Sequence, residues 1–434
     1  MNFFIYTFGC KTNTYESESM SRLLSETGRY QAVSDYLSAD VVIVNSCMVT
    51  GESEKKAAKL IRRIRRENEK ACIVLCGCMP QVIGEAAFGT GADVICGNTK
   101  RADIVKAVDS YFEKKTISRD MKIFRVEPHL KDETFELLAP DRYKNLTRAN
   151  LKIEDGCECF CSYCVIPFAR GRVRSMPPDE VFKVAKDLVN SGHREIVLTG
   201  INIGMYGKDI GLSICDAVKA VSDAGAERIR LGSIEIDLIS DAAIEELSGI
   251  PGLCPHFHTS LQSGSAKILK RMNRRYDPEE YMRKTGLLRS SFANASVTTD
   301  VIVGFPGETE EDFNDTVEFV RRAGFFRIHV FPYSKRNGTA AAGFKDQIPV
   351  EIKKRRVVAL EEVAAELKKN FLTGQVGKTV NVLFERSSGG FARGHAENYV
   401  EVRVETEEDL RNRIVSVTVS GVDSSGDFVY GNIG

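Results

Sequence analysis

Three short apolar runs stand out in the first hundred residues: Phe3 to Phe8 (FFIYTF), Val41 to Cys47 (VVIVNSC) and Ala71 to Cys78 (ACIVLCGC). They are continuous rather than alternating and rich in β-branched residues, the habit of parallel strands buried on both faces. Between the second and third lies EKKAAKLIRRIRRENEK, in which Ala57, Leu60, Ile61 and Ile64 recur at helical spacing. Its other face carries Lys55, Lys56, Lys59, Arg62, Arg63, Arg65 and Arg66. Such a face is either a solvated helix surface or one that receives phosphates. The pattern predicts an open parallel α/β domain over residues 1–118, followed by a charged connector without periodicity over 119–145.

A second alternating region spans residues 146–372. Its candidate strands are NLKIEDGC, EIVLTGINIG, IRLGSIEI, HFHTSLQSG, SVTTDVIVGFPGE and RIHVFPYSKRNGT, with helical patterns such as PDEVFKVAKDLVNSG and EEDFNDTVEFVRRAG between most of them. Six such units predict a partial or full β/α barrel with its working loops at the strand C-termini. A basic helix, VEIKKRRVVALEEVAAELKKNFLTG, closes the region. Residues 373–434 change character, alternating apolar and polar positions between Gly-rich turns, which predicts a small antiparallel β-barrel.

Composition narrows the class. An apolar fraction of 43% in 434 residues is ample for packed cores. No run approaches the roughly 18 apolar residues of a membrane span, and the start MNFFIYTFGCKTN lacks a basic n-region and cleavage site. The expectation is a cytoplasmic protein with no membrane partner. Twelve cysteines in a reducing compartment point to metal or redox chemistry rather than disulfides. Formal net charge is zero, so any basic surface must be local.

Two sets of three cysteines carry that chemistry. Cys157, Cys161 and Cys164 form C-x3-C-x2-C in a loop that follows the first barrel strand, where active-site loops sit. Three thiolates can hold three irons of a 4Fe–4S cluster and leave the fourth open. Zinc, which prefers four closed ligands, is the alternative, with Cys159 as a further sulfur. Cys10, Cys47 and Cys78 are far apart in sequence, yet each ends a predicted strand. In an open parallel sheet such ends share one crevice, so these three either converge there or are simply buried thiols. Glu235, a carboxylate between Ile234 and Ile236 at a strand end, requires a partner. Arg170, Arg172 and Arg174 alternate just after the cysteine loop. They suit phosphate oxygens or internal ion pairs.

Together TFGCKTN, VNSCMVT, CGCMPQ, DGCECFCSYCVIPFARGRVRS, LTGINIGMYG, LGSIEI, TSLQSGSAKILKRMNRRY, TDVIVGFPGETEEDF, HVFPYSKRNGTAA and GHAENYVEVRV resemble the radical S-adenosylmethionine (SAM) methylthiotransferases over nearly the whole chain. The resemblance implies an α/β fold in three parts: an N-terminal domain, a radical SAM barrel and a C-terminal TRAM barrel that binds RNA. GCKTN with Lys11, FARGRVRS and HVFPYSKRNGTAA look most like the branch that methylthiolates C2 of N6-threonylcarbamoyladenosine at tRNA position 37. The other branches act on isopentenyl-adenosine in tRNA or on a ribosomal-protein aspartate, and a non-catalytic Fe–S RNA-binding protein is the remaining alternative.

The resemblance further implies two 4Fe–4S clusters, one on Cys157, Cys161 and Cys164 that cleaves SAM, the other on Cys10, Cys47 and Cys78 that carries sulfur. SAM would be lined by Tyr163, Thr199, Gly200, Asn202, Ser233, Glu235 and Val303. The tRNA anticodon stem-loop would meet Arg170, Arg172 and Arg174, and the modified base Lys335 and Arg336. An electron donor and a sulfur donor complete the partners. The tail from Gly374 holds six Lys or Arg against nine Asp or Glu, acidic for an RNA-binding barrel, so either its binding face is locally basic or affinity comes from elsewhere.

Overall fold

The computed structural model describes residues 1–48, 51–115, 122–140 and 147–434. Six parallel strands, β1 (Asn2–Thr7), β2 (Gln31–Ala32), β3 (Val41–Ser46), β4 (Cys72–Gly77), β5 (Val94–Cys96) and β6 (Ile123–Arg125), form the first sheet in the order β2-β1-β3-β4-β5-β6. Alternate residues feed two cores. Phe3, Ile43, Val74 and Val94 pack under α1 (Lys11–Glu26) and the helix Ile104–Lys115. Val42, Val44, Ile73 and Leu75 pack under α2 (Gly51–Glu67), where Ala57, Ile61 and Ile64 are buried as their spacing predicts. The last strand of this sheet, β6, comes from the segment read as a connector; three residues pairing with β5 were too short a run to register as a strand.

The second unit opens with β7 (Arg148–Lys152). A short antiparallel pair follows, β8 (Glu154–Asp155) with β9 (Arg174–Ser175), which ties the two ends of the cysteine loop together. Then come β10 (Glu195–Thr199), β11 (Arg228–Leu231) with its continuation β12 (Ser233–Ile234), β13 (His256–Gln262), β14 (Ser296–Val303) and β15 (Arg327–Pro332). All neighbouring pairs are parallel. This is the six-unit partial barrel that the sequence predicts. Strand alternation divides its residues. Leu151, Ile196, Leu198, Ile229, Phe257, Val297, Val301 and Ile328 enter the core beneath the helices. Arg148, Lys152, Glu195, Arg230, His256, His258, Asp300 and His329 fall on the opposite face and line the lumen.

The helix Val350–Thr373 leads into a closed antiparallel barrel of β16 (Thr379–Ser388), β17 (Phe391–Ala396), β18 (Glu401–Glu405), β19 (Ile414–Val422) and β20 (Val429–Ile433), with one parallel contact between β18 and β20. It seats against the N-terminal ends of the larger barrel's strands. Arg228 and Arg230 donate to the carbonyls of Ala396 (2.8 Å) and Glu397 (2.9 Å), and the Tyr399 ring stacks on His256 at 4.7 Å. Glu195 pairs with Arg148, Arg228 and Arg230 at that end. Burial alone would raise its carboxyl, but the three guanidiniums hold it well below the usual range. No helix among the described residues is long and apolar enough to cross a membrane.

Candidate active site

Cys10, Cys47 and Cys78 lie just past the ends of β1, β3 and β4, three adjacent parallel strands. The register pairs Thr7 with Asn45 and Ser46 with Gly77, so the three chain ends leave the sheet side by side. Gly9 is needed there: its φ is +106°, and a Cβ on it would stand 2.8 Å from the Cys47 sulfur. Cys10 is exposed, whereas Cys47 and Cys78 are buried. The crevice reading of these cysteines therefore fits the topology better than isolated core thiols.

The second set is built on a loop held at several points. A Cβ on Gly156 (φ +91°) would run into the Arg172 carbonyl at 1.9 Å, and the Cys157 amide donates to Gly171 O at 3.1 Å. Ser162 donates from its amide to Met272 O and from its hydroxyl to Arg271 O. The sulfurs receive hydrogen bonds: the Ile166 amide to Cys164 at 3.4 Å and Arg274 to Cys161 at 3.4 Å. Cys159 is buried, takes a bond from Asn202 Nδ2 at 3.5 Å, and pulls the neighbouring Cys157 thiol below its ordinary range while its own is pushed up. Three all-sulfur donors in each set suit the irons of a cluster.

The two sets face each other. Met48 and Cys78 of the first domain pack with Val165 and Ala169, directly after Cys164. Arg170 crosses the same interface. Its Nε donates to Cys78 Sγ at 3.3 Å, and its other nitrogens to Glu16 (2.5 Å) and Asn13 (2.9 Å). Lys152 joins Glu16 (2.8 Å) to Asp155 (2.6 Å), and Arg101 reaches Glu16 at 3.2 Å. Burial would raise the Glu16 carboxyl, but Arg101, Arg170 and Lys152 hold it at about 2. The row of arginines is thus largely internal, unlike the phosphate contact expected of it. Arg170 is wholly buried, and Arg174 is buried against the carbonyls of Arg172 and Arg170 and the carboxylates of Glu133 and Asp155. Carboxylates from both domains meet at this seam and needed neutralising. Of the three only Arg172 is exposed, in an open cleft that Glu158, Arg174 and Lys208 also line.

The residues expected to line SAM divide. Glu154 Oε2 accepts the amides of Ile201 and Asn202, both at 2.8 Å, and so shapes the turn after Thr199 and Gly200. Glu154 Oε1 and Asn202 Oδ1 are buried with no partner, two acceptors beside the cysteine loop able to receive an amino group. Glu235 has found the partner it required in Arg274 (2.8 Å), which also donates to Ser260 O. Ser233 is exposed, its hydroxyl 3.3 Å from that of Ser260. Tyr163 packs edge-on against Phe305. Val303 departs from expectation: its side chain is in the core under the helices, and its carbonyl takes the Tyr333 amide. Its place at the end of β14, on the aliphatic face of the alternation, is the reason.

Lys335 is exposed and Arg336 buried, in the loop after β15. Arg336 lies 3.8 Å from Glu54 of α2, and Cys47 and Cys164 are both close enough to act on its charge. Its Nε and one terminal nitrogen are buried without a partner. Reasoning from sequence missed Arg274, Glu154, Glu16 and Asn13, which touch the sulfurs or their supports. For Glu154 the signal was available, a carboxylate two residues after Lys152, just past the end of β7.

Comparison with known proteins agrees with this geometry. Residues 151–320 match the model of the Radical SAM superfamily, and residues 2–97 that of Uncharacterized protein family UPF0004. The chain is 37% identical over 95% of its length to the threonylcarbamoyladenosine tRNA methylthiotransferase MtaB of Bacillus subtilis, covering 92% of that protein. The corresponding Thermotoga maritima protein is 38% identical, with 99% of this chain and 98% of that one covered. A tRNA-2-methylthio-N(6)-dimethylallyladenosine synthase from Pelotomaculum thermopropionicum is 34% identical over 96% of this chain and 94% of its own. Among solved structures, the radical SAM methyltransferase TsrM of Kitasatospora setae superposes with a TM-score of 0.59 at 13% identity, covering 79% and 77% of the two chains, a likeness of fold. With two facing cysteine sets, a six-unit barrel and relatives matched nearly end to end, the chain belongs to the radical SAM methylthiotransferase family.

Proposed function

We propose that the protein adds a methylthio group to C2 of N6-threonylcarbamoyladenosine at position 37 of tRNA, in the cytoplasm. SAM and two 4Fe–4S clusters, when bound, supply the methyl group, the sulfur and a 5′-deoxyadenosyl radical. Cys157, Cys161 and Cys164 hold one cluster, and Cys10, Cys47 and Cys78 the other. Glu154 and Asn202 present their free acceptors to the amino end of SAM, and Arg274 fixes Glu235 against the same loop. The C2–H bond is too weakly acidic for a general base, so its hydrogen would pass to the radical and that step requires no titrating side chain.

The observation that carries the choice of substrate is Arg336. A threonylcarbamoyl group ends in a carboxylate, whereas an isopentenyl group is apolar. A buried guanidinium whose charge feels one cysteine of each set, with two nitrogens unpartnered, suits the former and would leave the latter facing a buried charge. Lys335 stands exposed beside it. RNA contact has its own support. Arg386, Arg393 and Arg403 are cross-strand neighbours on β16, β17 and β18, and Tyr430 continues the row on β20. Together with the exposed Phe391 they line one cleft, so the acidic C-terminal barrel has a locally basic, aromatic face. The basic face of α2, whose Glu54 lies 3.8 Å from Arg336, is a second surface for the anticodon stem-loop.

The test is anaerobic reconstitution with SAM and a reductant, followed by mass spectrometry of tRNA nucleosides. The 2-methylthio derivative of threonylcarbamoyladenosine should appear together with 5′-deoxyadenosine. Product on isopentenyl-adenosine alone, or on a ribosomal-protein aspartate, would reassign the substrate. Cluster absorbance and tRNA retention without 5′-deoxyadenosine would make the protein a binding module.

A further inference from the structure

A third group of ligating side chains lies in the barrel lumen, apart from both cysteine sets. His258 on β13, Asp300 on β14 and His329 on β15 offer one atom each, and these atoms all lie within 4.8 Å of one another. The register explains the meeting. Asp300 is paired directly with His329 across β14 and β15, and His258 with Thr298, one inward position earlier along β14. All three side chains therefore leave adjacent strands on the lumen face at nearly one level. Sites built on strands hold their geometry better than sites on loops.

The details go beyond a chance ion pair. His258 Nε2 stands 3.2 Å from Asp300 Oδ2, and its Nδ1 is bonded to the Thr298 hydroxyl at 2.9 Å. Metal-binding histidines characteristically tie their second ring nitrogen in this way, which fixes tautomer and ring orientation. The His329 ring, centred 5.8 Å from that of His258, adds a second imidazole to a pair that is complete as an ion pair without it. His258 and Asp300 are half-buried and His329 is exposed, so an ion can enter. Two imidazoles and one carboxylate form a donor set suited to divalent first-row transition metals rather than to calcium or magnesium.

We propose that His258, Asp300 and His329 form a mononuclear site for one divalent transition-metal ion in the barrel lumen, with Thr298 positioning His258. Three protein ligands leave the ion an open coordination position for an exogenous ligand. The donors contain no sulfur, so the site is chemically distinct from the places where the clusters sit.

The test uses the reconstituted enzyme with both clusters loaded, so that its cluster cysteines are occupied. Equilibrium dialysis against zinc chloride, with zinc and iron counted by mass spectrometry, should give about one zinc per chain. Asp300→Asn and His329→Gln should lose that zinc while keeping their iron. Thr298→Val, which removes only the supporting hydroxyl, should weaken zinc binding about 10- to 100-fold. Diffraction at the zinc edge should place one anomalous peak between the three side chains. Should a ligand variant also lose iron, Thr298→Val and the anomalous peak decide. No zinc on the wild type, zinc retained by both ligand variants, or a peak elsewhere would overturn the site.

Discussion

Arg170, carried on the barrel's cysteine loop, places its Nε 3.3 Å from the sulfur of Cys78 in the other domain. The same guanidinium neutralises Glu16. One side chain thus supports the Cys78 sulfur and closes the domain seam. Arg170→Leu would leave Glu16 and Asp155 short of positive charge in a buried setting and should cost about 3–5 kcal/mol, read by thermal or denaturant unfolding. Arg170→Lys should recover much of that stability while altering the electron paramagnetic resonance signature of the cluster on Cys10, Cys47 and Cys78. An unchanged spectrum in the lysine variant would reduce Arg170 to a structural ion pair.

The two cysteine sets belong to different domains and should load independently. Ala at Cys157, Cys161 and Cys164 should remove about half the iron and abolish SAM cleavage. Ala at Cys10, Cys47 and Cys78 should remove the other half and leave SAM cleavage in place. Full iron in either triple variant sinks the assignment. Cys159→Ser should keep its iron, since Cys159 sits as a hydrogen-bonding neighbour of Cys157.

Arg336→Ala separates substrates. A charged hydrogen-bonded contact contributes roughly 1.5–3 kcal/mol, or about 10- to 150-fold in affinity. Activity on threonylcarbamoyladenosine tRNA should fall by that order, while binding of the same tRNA without the modification should hardly change. Equal loss on both RNAs would make Arg336 a backbone contact.

Acid should open the domain seam. The Glu16 carboxyl is held at about 2 in the folded protein against an ordinary value of 4.5. Its contribution is complete above 4.5 and is lost as pH falls from there through about 2. The shift corresponds to roughly 3 kcal/mol. A melting temperature followed from neutral pH to pH 2 should drop across this window in the wild type. Glu16→Gln should start lower and show a shallower fall, and parallel curves would refute the linkage.

Two surfaces should share the RNA. Replacing Arg386, Arg393 and Arg403 together by Gln should flatten the salt dependence of tRNA binding by about two to three units. Neutralising Lys59, Arg62, Arg63 and Arg66 on α2 tests the second surface in the same way. There, Arg63 and Arg66 already share Glu67, so fewer than four contacts are expected. An unchanged slope in either set assigns that surface to solvent.

Much of the architecture could be read from periodicity. The strands at Val41–Ser46 and Cys72–Gly77 are continuous apolar runs because both faces are covered, and the barrel strands announce themselves by spacing. The cysteine loop was legible as a candidate ligand set because three thiols so close together have few other uses. What could not be read was partnership across the seam. Nothing local marks Glu16 as the partner of Arg170, 154 residues away, or Arg274 as the partner of Glu235 and Cys161. Val303 shows the converse limit, since a strand-end position says nothing of which face the residue takes.

The partners of Glu16 also impose a timetable. Arg101, Lys152 and Arg170 all follow it in the chain, and two of them belong to the barrel. Domains emerging from the ribosome fold N-terminal first. The first sheet is therefore born with Cys10, Cys47 and Cys78 in place and its future seam still wetted, the Glu16 carboxylate solvated and Cys78 uncovered. Cys78 is at its most accessible to iron and sulfide during that interval, whereas Cys10 stays exposed in the finished fold. Once Arg170 arrives, the carboxylate is sealed and the Cys78 sulfur takes its hydrogen bond, so the first domain shows solvent a different face before docking than after it.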